Sequence, residues 1–240
     1  MNKVLLFNPR SARVKPRIPN SILSVAASLE GRFDYVIVDG NLEQDPWETI
    51  RTYLAAGGFR YFGCTCMPGP QLKQAIPVSK AIRMHFPQIR IIWGGYFASN
   101  QPKVVLESGF VDFIVHGPGD KCFPALLAAL DAGTSFAQIG NLIYLSAGKI
   151  MKTAKEDLYD QDALPALPYE KLHQFYPMRK YLGPSCLGSR TIAYHSSVGC
   201  PFTCSFCAVV PIYNARWRGK SADRILQISS TSKTDSVATP

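Results

Sequence analysis

Five short apolar runs recur through the first 120 residues, separated by turns and amphipathic stretches, and this alternation restricts the fold more than any other feature of the chain. The runs are VLLFNP from Val4, YVIVDGN from Tyr35, RYFGCTC from Arg60, IRIIWGG from Ile89 and VDFIVHG from Val111. Between the first two, Ile22, Val25, Ala26 and Leu29 sit at i, i+3, i+4 and i+7, one apolar stripe of a helix. Phe123, Leu126, Leu127 and Leu130 repeat that spacing after the fifth run, and Leu72, Ala75 and Ile76 begin it after the third, close to Pro77 and Ser79. Strands alternating with helices predict an α/β fold, a doubly wound parallel sheet with helices on both faces, over residues 1–140.

In such open sheets ligands bind beyond the carboxyl ends of the strands, so the loops there carry the functional information. MPGPQ (Met67 to Gln71) follows the third run, GGYFAS (Gly94 to Ser99) the fourth and GPGD (Gly117 to Asp120) the fifth. Glycine at a strand end lets backbone approach a flat or bulky ligand, although any turn also uses it. Three such loops in register on one edge point to a ligand there. The candidate contacts are Met67, Gly69, Gln71, Gly94, Gly95, Tyr96, Gly117, Gly119 and Asp120.

The second informative feature is GCPFTCSFC, which places Cys200, Cys204 and Cys207 within eight residues. Gly199 and Pro201 set this segment in a loop. Three thiolates can converge there on one small object and leave a fourth coordination position for something else. Soft thiolates suit an iron-sulfur cluster, zinc or cuprous copper. A structural zinc site needs four ligands, for which Cys186 or His195 could serve. The seven cysteines are odd in number and no signal peptide precedes them, so a reducing cytoplasm fits better than a disulfide framework. Cys64 and Cys66 share one face of a buried strand and read as small hydrophobes.

These residues resemble the radical S-adenosylmethionine enzymes. The resemblance rests on the three cysteines, on Phe206 before the last of them, and on TIAYHSS, which reads as a strand feeding the loop. It implies that the thiolates hold three irons of a 4Fe-4S cluster, the fourth being left to S-adenosylmethionine, whose reductive cleavage gives a 5'-deoxyadenosyl radical. It further implies that Phe206 packs near the adenine of S-adenosylmethionine, and that RWRGKSADRI leads into a first barrel helix with Ser221 as N-cap. The order of VDGN (Val38 to Asn41), GPQ (Gly69 to Gln71), WGGY (Trp93 to Tyr96) and VDFIVHGPGD (ending at Asp120) resembles the cobalamin-binding domain found ahead of many such barrels. The expected architecture is then a flavodoxin-like (Rossmann-type) sheet followed by the first strand and cluster loop of an incomplete radical SAM (β/α) barrel. Residues 191–240 carry that second part.

Two departures qualify the resemblance. The loop after the first run reads NPRSARVKP from Asn8 and lacks the DxHxxG of other corrinoid proteins, so the implied cobalamin is base-off without a protein imidazole. Phe97 stands where relatives often carry histidine, which makes the contact there apolar. Of the four histidines, His85 is expected exposed, His173 falls in the linker, His195 in the strand before the cluster, and His116 at the mouth of the fifth strand is either a ligand contact or a half-buried polar residue.

Residues 141–190 read as a connection holding the domain boundary: a hairpin from Leu142 turning at Ala147 and Gly148, then the proline-rich DALPALPYEKL. The net charge of +9 is scattered from Lys3 to Lys233 without a dense run, which fits a solvated surface better than a nucleic-acid partner. No apolar run approaches the length of a membrane span. Of 240 residues only 33 follow Cys207, and the last twelve, SSTSKTDSVATP, read as disordered. A complete barrel takes about 250 residues, so a C-terminally truncated relative is expected. Intact relatives would transfer a methyl group to an unactivated carbon, or cyclise or rearrange, on a small-molecule or peptide substrate, with an electron donor such as flavodoxin or ferredoxin. The alternatives are a non-catalytic corrinoid-binding module and a zinc-stabilised binding protein.

Overall fold

The computed structural model describes residues 2–12, 16–186 and 188–235. The five expected strands form as β1 (Lys3–Asn8), β2 (Tyr35–Asp39), β3 (Phe59–Thr65), β4 (Arg90–Gly94) and β5 (Phe113–Val115). They pair in parallel in the order β2-β1-β3-β4-β5, the flavodoxin-like arrangement, with the reversal of strand order at β1 and β3. The hairpin expected from Leu142 also forms, as β6 (Leu142–Ser146) and β7 (Lys149–Lys152). It continues the same sheet, antiparallel to β5, so the sheet extends past residue 140.

Alternation along the strands divides the core between two faces. In β1, Val4 and Leu6 join one cluster and Leu5 and Phe7 the other. The first face is covered by α1 (Asn20–Leu29) and α6 (Cys122–Ala132), the second by α2 (Pro46–Ala55), α3 (Leu72–His85), α4 (Gly95–Asn100) and α5 (Pro102–Glu107). Gly63 in β3 leaves the room that Phe123 of α6 fills, since a Cβ there would meet the Phe123 ring at 2.9 Å. Helix α3 forms despite Pro77, held by its buried Ala75, Val78 and Ile82. Among the described residues no helix is long and apolar enough to cross a membrane.

The connection between 153 and 190 is tied to the sheet. Helix α7 (Tyr169–Phe175) buries Leu172, and Tyr176 and Tyr181 beyond it are buried against the α1/α6 face. Their hydroxyls meet Asp39, a fully buried carboxylate at the end of β2. Asp39 Oδ1 accepts from Asn8 Nδ2 at 2.9 Å, the Asn41 amide at 3.0 Å and Asn41 Nδ2 at 2.8 Å, and Oδ2 accepts from Tyr181 OH at 2.9 Å. Tyr176 OH accepts from the Asp39 N–H at 3.1 Å and donates to Glu43 at 2.6 Å. Burial pushes the Asp39 carboxyl above its ordinary value, and the donors from Asn41, Tyr181 and Asn8 pull it back.

The C-terminal segment differs from expectation in two respects. TIAYHSS is not one strand: β9 (Gly188–Thr191) pairs antiparallel with β8 (Gly183–Ser185), Ile192–Ser196 is irregular, and β10 (Ser197–Gly199) pairs antiparallel with β11 (Trp217–Gly219). A parallel barrel strand is held by parallel neighbours, and here the neighbour is the chain returning from the cysteine loop. The terminal stretch expected to be disordered is helical through residue 235, as α9 (Ala222–Asp235); Ser221 Oγ caps it by accepting from the Arg224 N–H at 3.1 Å. Residues 236–240 lie outside the described residues, as do 13–15 of the loop after β1.

Removing the Tyr181 hydroxyl deprives a buried carboxylate of the one donor to its Oδ2 among the described residues. Tyr181→Phe is expected to lower stability by about 1.5–3 kcal/mol, the worth of a hydrogen bond to a charged group. Urea denaturation of the two proteins checks this, and an unchanged midpoint would show that Asp39 does not anchor the linker.

Candidate functional site

The loops beyond β1, β3, β4 and β5 meet at the carboxyl edge of the sheet. Gln71, expected to contact a ligand, is instead buried and bridges two of them: its Nε2 donates to Pro9 O at 2.9 Å and its Oε1 accepts from the Met67 N–H at 2.7 Å. Its position fixes the Met67–Gly69 turn against the β1 loop. Met67 is 44% exposed, and Gly69 has φ +96° with nothing within 4 Å of a built Cβ, so this turn presents open backbone. Gly95 serves a different end. Its φ is +84°, and a Cβ would lie 2.8 Å from both the N and O of Cys66, so α4 can start only by packing directly on the end of β3. Gly94 precedes it in extended conformation.

The β5 loop packs against other parts of the chain. A Cβ on Gly119 would meet Val25 of α1 at 3.0 Å, and one on Gly117 would meet Ile212 at 3.4 Å. Asp120 accepts from Ser24 Oγ and from Tyr159 OH, the latter at 3.1 Å, and thus joins α1 to the linker. His116 is half-buried in a second pocket with Lys155, Asp157 and Arg216; burial and the two nearby lysines, Lys155 and Lys152, push its pKa down. His85 is exposed as expected, and His195 lies in the irregular segment before β10, its carbonyl accepting from Lys220 Nζ at 3.1 Å. Cys64 and Cys66 are buried; desolvation raises Cys64 well above its ordinary value and Cys66 to about 12, which keeps both protonated and inert.

The cysteine loop is attached to this edge through α4. Asn100 Nδ2 donates to Tyr96 O at 2.9 Å and to Ala208 O, the residue after Cys207, at 3.1 Å. Tyr96 and Tyr213, in α8 (Val210–Tyr213), share a hydrogen bond. Burial pushes the Tyr96 hydroxyl up, Tyr213 draws it back, and Cys207 lies near enough to add to the rise. Cys204 is exposed and Cys200 and Cys207 half-exposed, all three free thiols. Among the described residues no three His, Cys, Asp or Glu side chains are gathered closely enough to hold a metal ion. Phe206 is 91% exposed. The donor set still fits a cluster: three soft thiols on one accessible loop, none in a disulfide. The strand-edge loops fit a flat ligand, with exposed Met67 and bare Gly69 at its approach.

The B12 binding domain family model matches residues 16–127, the part of the fold that runs from just before α1 through β2–β5 into α6. Over much of its length the chain is also similar to methyltransferases and a methylase. An uncharacterized methyltransferase of Pyrococcus horikoshii is 26% identical over 94% of this chain and 49% of its own length. The hopanoid C-3 methylase of Methylococcus capsulatus is 27% identical over 64% of this chain and 28% of its own. Among solved structures, the radical S-adenosylmethionine methyltransferase TsrM from Kitasatospora setae, with cobalamin and a 4Fe-4S cluster bound, superposes on 96% of this chain and 46% of that chain, with a TM-score of 0.72 and 20% identity. The cobalamin-dependent S-adenosylmethionine radical enzyme OxsB with aqua-cobalamin bound gives a TM-score of 0.79 at 17% identity, covering 96% of this chain and 31% of that one. These two establish the fold, and the chain spans about half or less of the length of the relatives it matches.

Two glycines separate packing from ligand approach. Gly95→Val is expected to destabilise the protein by about 2 kcal/mol or more with no ligand present, through backbone overlap and a left-handed φ. Gly69→Ala should cost about 1 kcal/mol, the backbone term alone. Thermal unfolding of both variants checks this; equal losses would refute the distinction.

Proposed function

We propose that this chain is the cofactor-binding part of a cobalamin-dependent radical S-adenosylmethionine enzyme, one that transfers a methyl group to an unactivated carbon. The observation that carries the reading is the attachment of the cysteine loop to the cobalamin-binding edge: α4 begins at Gly95 on the strand edge and ends at Asn100, which bonds the residue beyond Cys207. When bound, the cobalamin would supply methyl transfer and the cluster with S-adenosylmethionine would supply the radical. Cys200, Cys204 and Cys207 are the ligands of that cluster and Phe206 the contact for the nucleoside. Met67, Gly69, Gly94, Tyr96 and the Gly117–Asp120 turn border the corrin, while Gln71 and Gly95 act by holding those loops in place. The substrate would be a small molecule or peptide, with reducing equivalents from a flavodoxin or ferredoxin.

A second reading, a corrinoid-binding module without radical chemistry, is favoured by one observation. The three thiols are not gathered among the described residues, and Phe206 has no cover.

Anaerobic reconstitution separates these readings. The full chain should bind hydroxocobalamin, and with iron and sulfide it should take up about four of each, as three thiolates and an open iron require. Cys204→Ala should abolish iron uptake and leave cobalamin binding intact. Tightly held stoichiometric zinc without charge-transfer absorption would overturn the cluster. Cobalamin binding with no 5'-deoxyadenosine formed from S-adenosylmethionine under a strong reductant would select the second reading.

A further inference from the structure

A pocket lies where the start of α1, the β5–α6 turn, the linker and the segment around β10 meet. Its walls include Asn20, Ser24, Asp120, Gln161, Tyr194 and Lys220. Two of these are more deeply buried than polar residues usually are: Asn20 is 7% exposed and Gln161 2%. Asn20 Nδ2 donates to Ala193 O at 3.0 Å, and Gln161 Nε2 donates to Tyr159 O at 3.1 Å. Each donation fixes which end of the amide is nitrogen. The other ends, Asn20 Oδ1 and Gln161 Oε1, are then buried acceptors without a hydrogen-bond partner among the described residues. An unpaired buried acceptor is costly, and two such atoms from side chains of a single pocket call for a donor from outside the chain.

The charges around the pocket narrow the donor. The Asp120 carboxylate is already met by Ser24 and Tyr159. Lys220 places an ammonium in the wall, its Nζ donating to His195 O at 3.1 Å, so a cationic ligand would meet a like charge. An anion would bring acceptors against two bare oxygens. A neutral group rich in N–H donors satisfies both, and Leu164, Leu167 and Val198 supply apolar wall for the chain that carries it.

We propose that this pocket is an amide-recognition subsite, in which Asn20 Oδ1 and Gln161 Oε1 accept hydrogen bonds from the neutral primary-amide arms that fringe a corrin ring. The inference rests on the cobalamin-binding reading and adds to it a linker residue. Gln161 lies in the connection between the sheet and the cysteine loop, so ligand and linker are held together by the same hydrogen bond.

The test uses the full chain, hydroxocobalamin, and the monocarboxylic acids obtained by hydrolysing single peripheral amides of cobalamin. Gln161→Met keeps the side-chain volume and removes the acceptor. It is expected to weaken hydroxocobalamin binding about 5- to 10-fold, the scale of one hydrogen bond lost from a buried site, in a variant that still unfolds cooperatively. One monocarboxylic acid should bind the unmodified protein about 10-fold more weakly and lose nothing further on Gln161→Met, since both changes remove the same contact. Binding of hydroxocobalamin by folded Gln161→Met within twofold of the unmodified protein would overturn the subsite while leaving the cobalamin reading in place. Should the variant not fold, equal affinity of the unmodified protein for every monocarboxylic acid overturns it instead. Failure of the unmodified protein to bind hydroxocobalamin at all would overturn both.

Discussion

The Asp39 carboxylate is the point on which the ligand-binding edge depends. A fully buried negative group is tolerated only when donors surround it, and the donors here come from three separate stretches: Asn8 at the end of β1, Asn41 in the turn after β2, and Tyr181 in the linker. The same cluster therefore sets where the β1 loop leaves the sheet, how β2 turns, and where the linker lies. Arg10 extends it by donating to Gly40 O at 2.9 Å and Glu43 O at 2.7 Å. Gln71 then carries the order from the β1 loop to the β3 loop. The carboxyl edge of the sheet is thus assembled by buried polar contacts, while the apolar faces of the sheet only hold it from beneath.

The cysteine loop inherits this order at second hand. Short α4 is anchored at its start by the close approach of Gly95 to Cys66, and at its end it holds Ala208 through Asn100. Tyr96 and Tyr213 join the same two elements by side chains. A six-residue helix bonded at both ends is a short, stiff spacer between the strand edge and the cysteine loop.

The sequence made the parallel strands plain because each is a compact apolar run bounded by glycine, proline or asparagine, as in VLLFNP and IRIIWGG. Helix α2 escaped notice although Asp45-Pro46 marks its start: Asp45 Oδ1 accepts from the Trp47 N–H at 3.0 Å, and Pro46 sits where a proline is tolerated. Its few buried residues, Pro46, Ile50 and Leu54, were too sparse to read as a stripe. The start of helix α9 was legible in the cap at Ser221, whereas its continuation past residue 228 was masked by serines and threonines, which are poor helix formers. At the site, the cysteine spacing and the glycine loops were legible because they are local. The inward turn of Gln71, the pairing of Asp39 with Asn8 and Tyr181, and the setting of Asn20 were not, since each depends on residues 31 to 173 positions apart that only the fold brings together.

The two margins of the sheet are closed in different ways. Strand β2 is overlain by the linker, where Tyr176 takes up the Asp39 N–H, a backbone donor at the rim. The opposite margin, β7, begins at Lys149 and ends at Lys152, both exposed, and a charged side chain at each end of a four-residue strand discourages another strand from adding alongside. Addition of a further strand is thereby discouraged at both margins, which leaves the strand ends, and not the sides of the sheet, as the place for contact with other molecules.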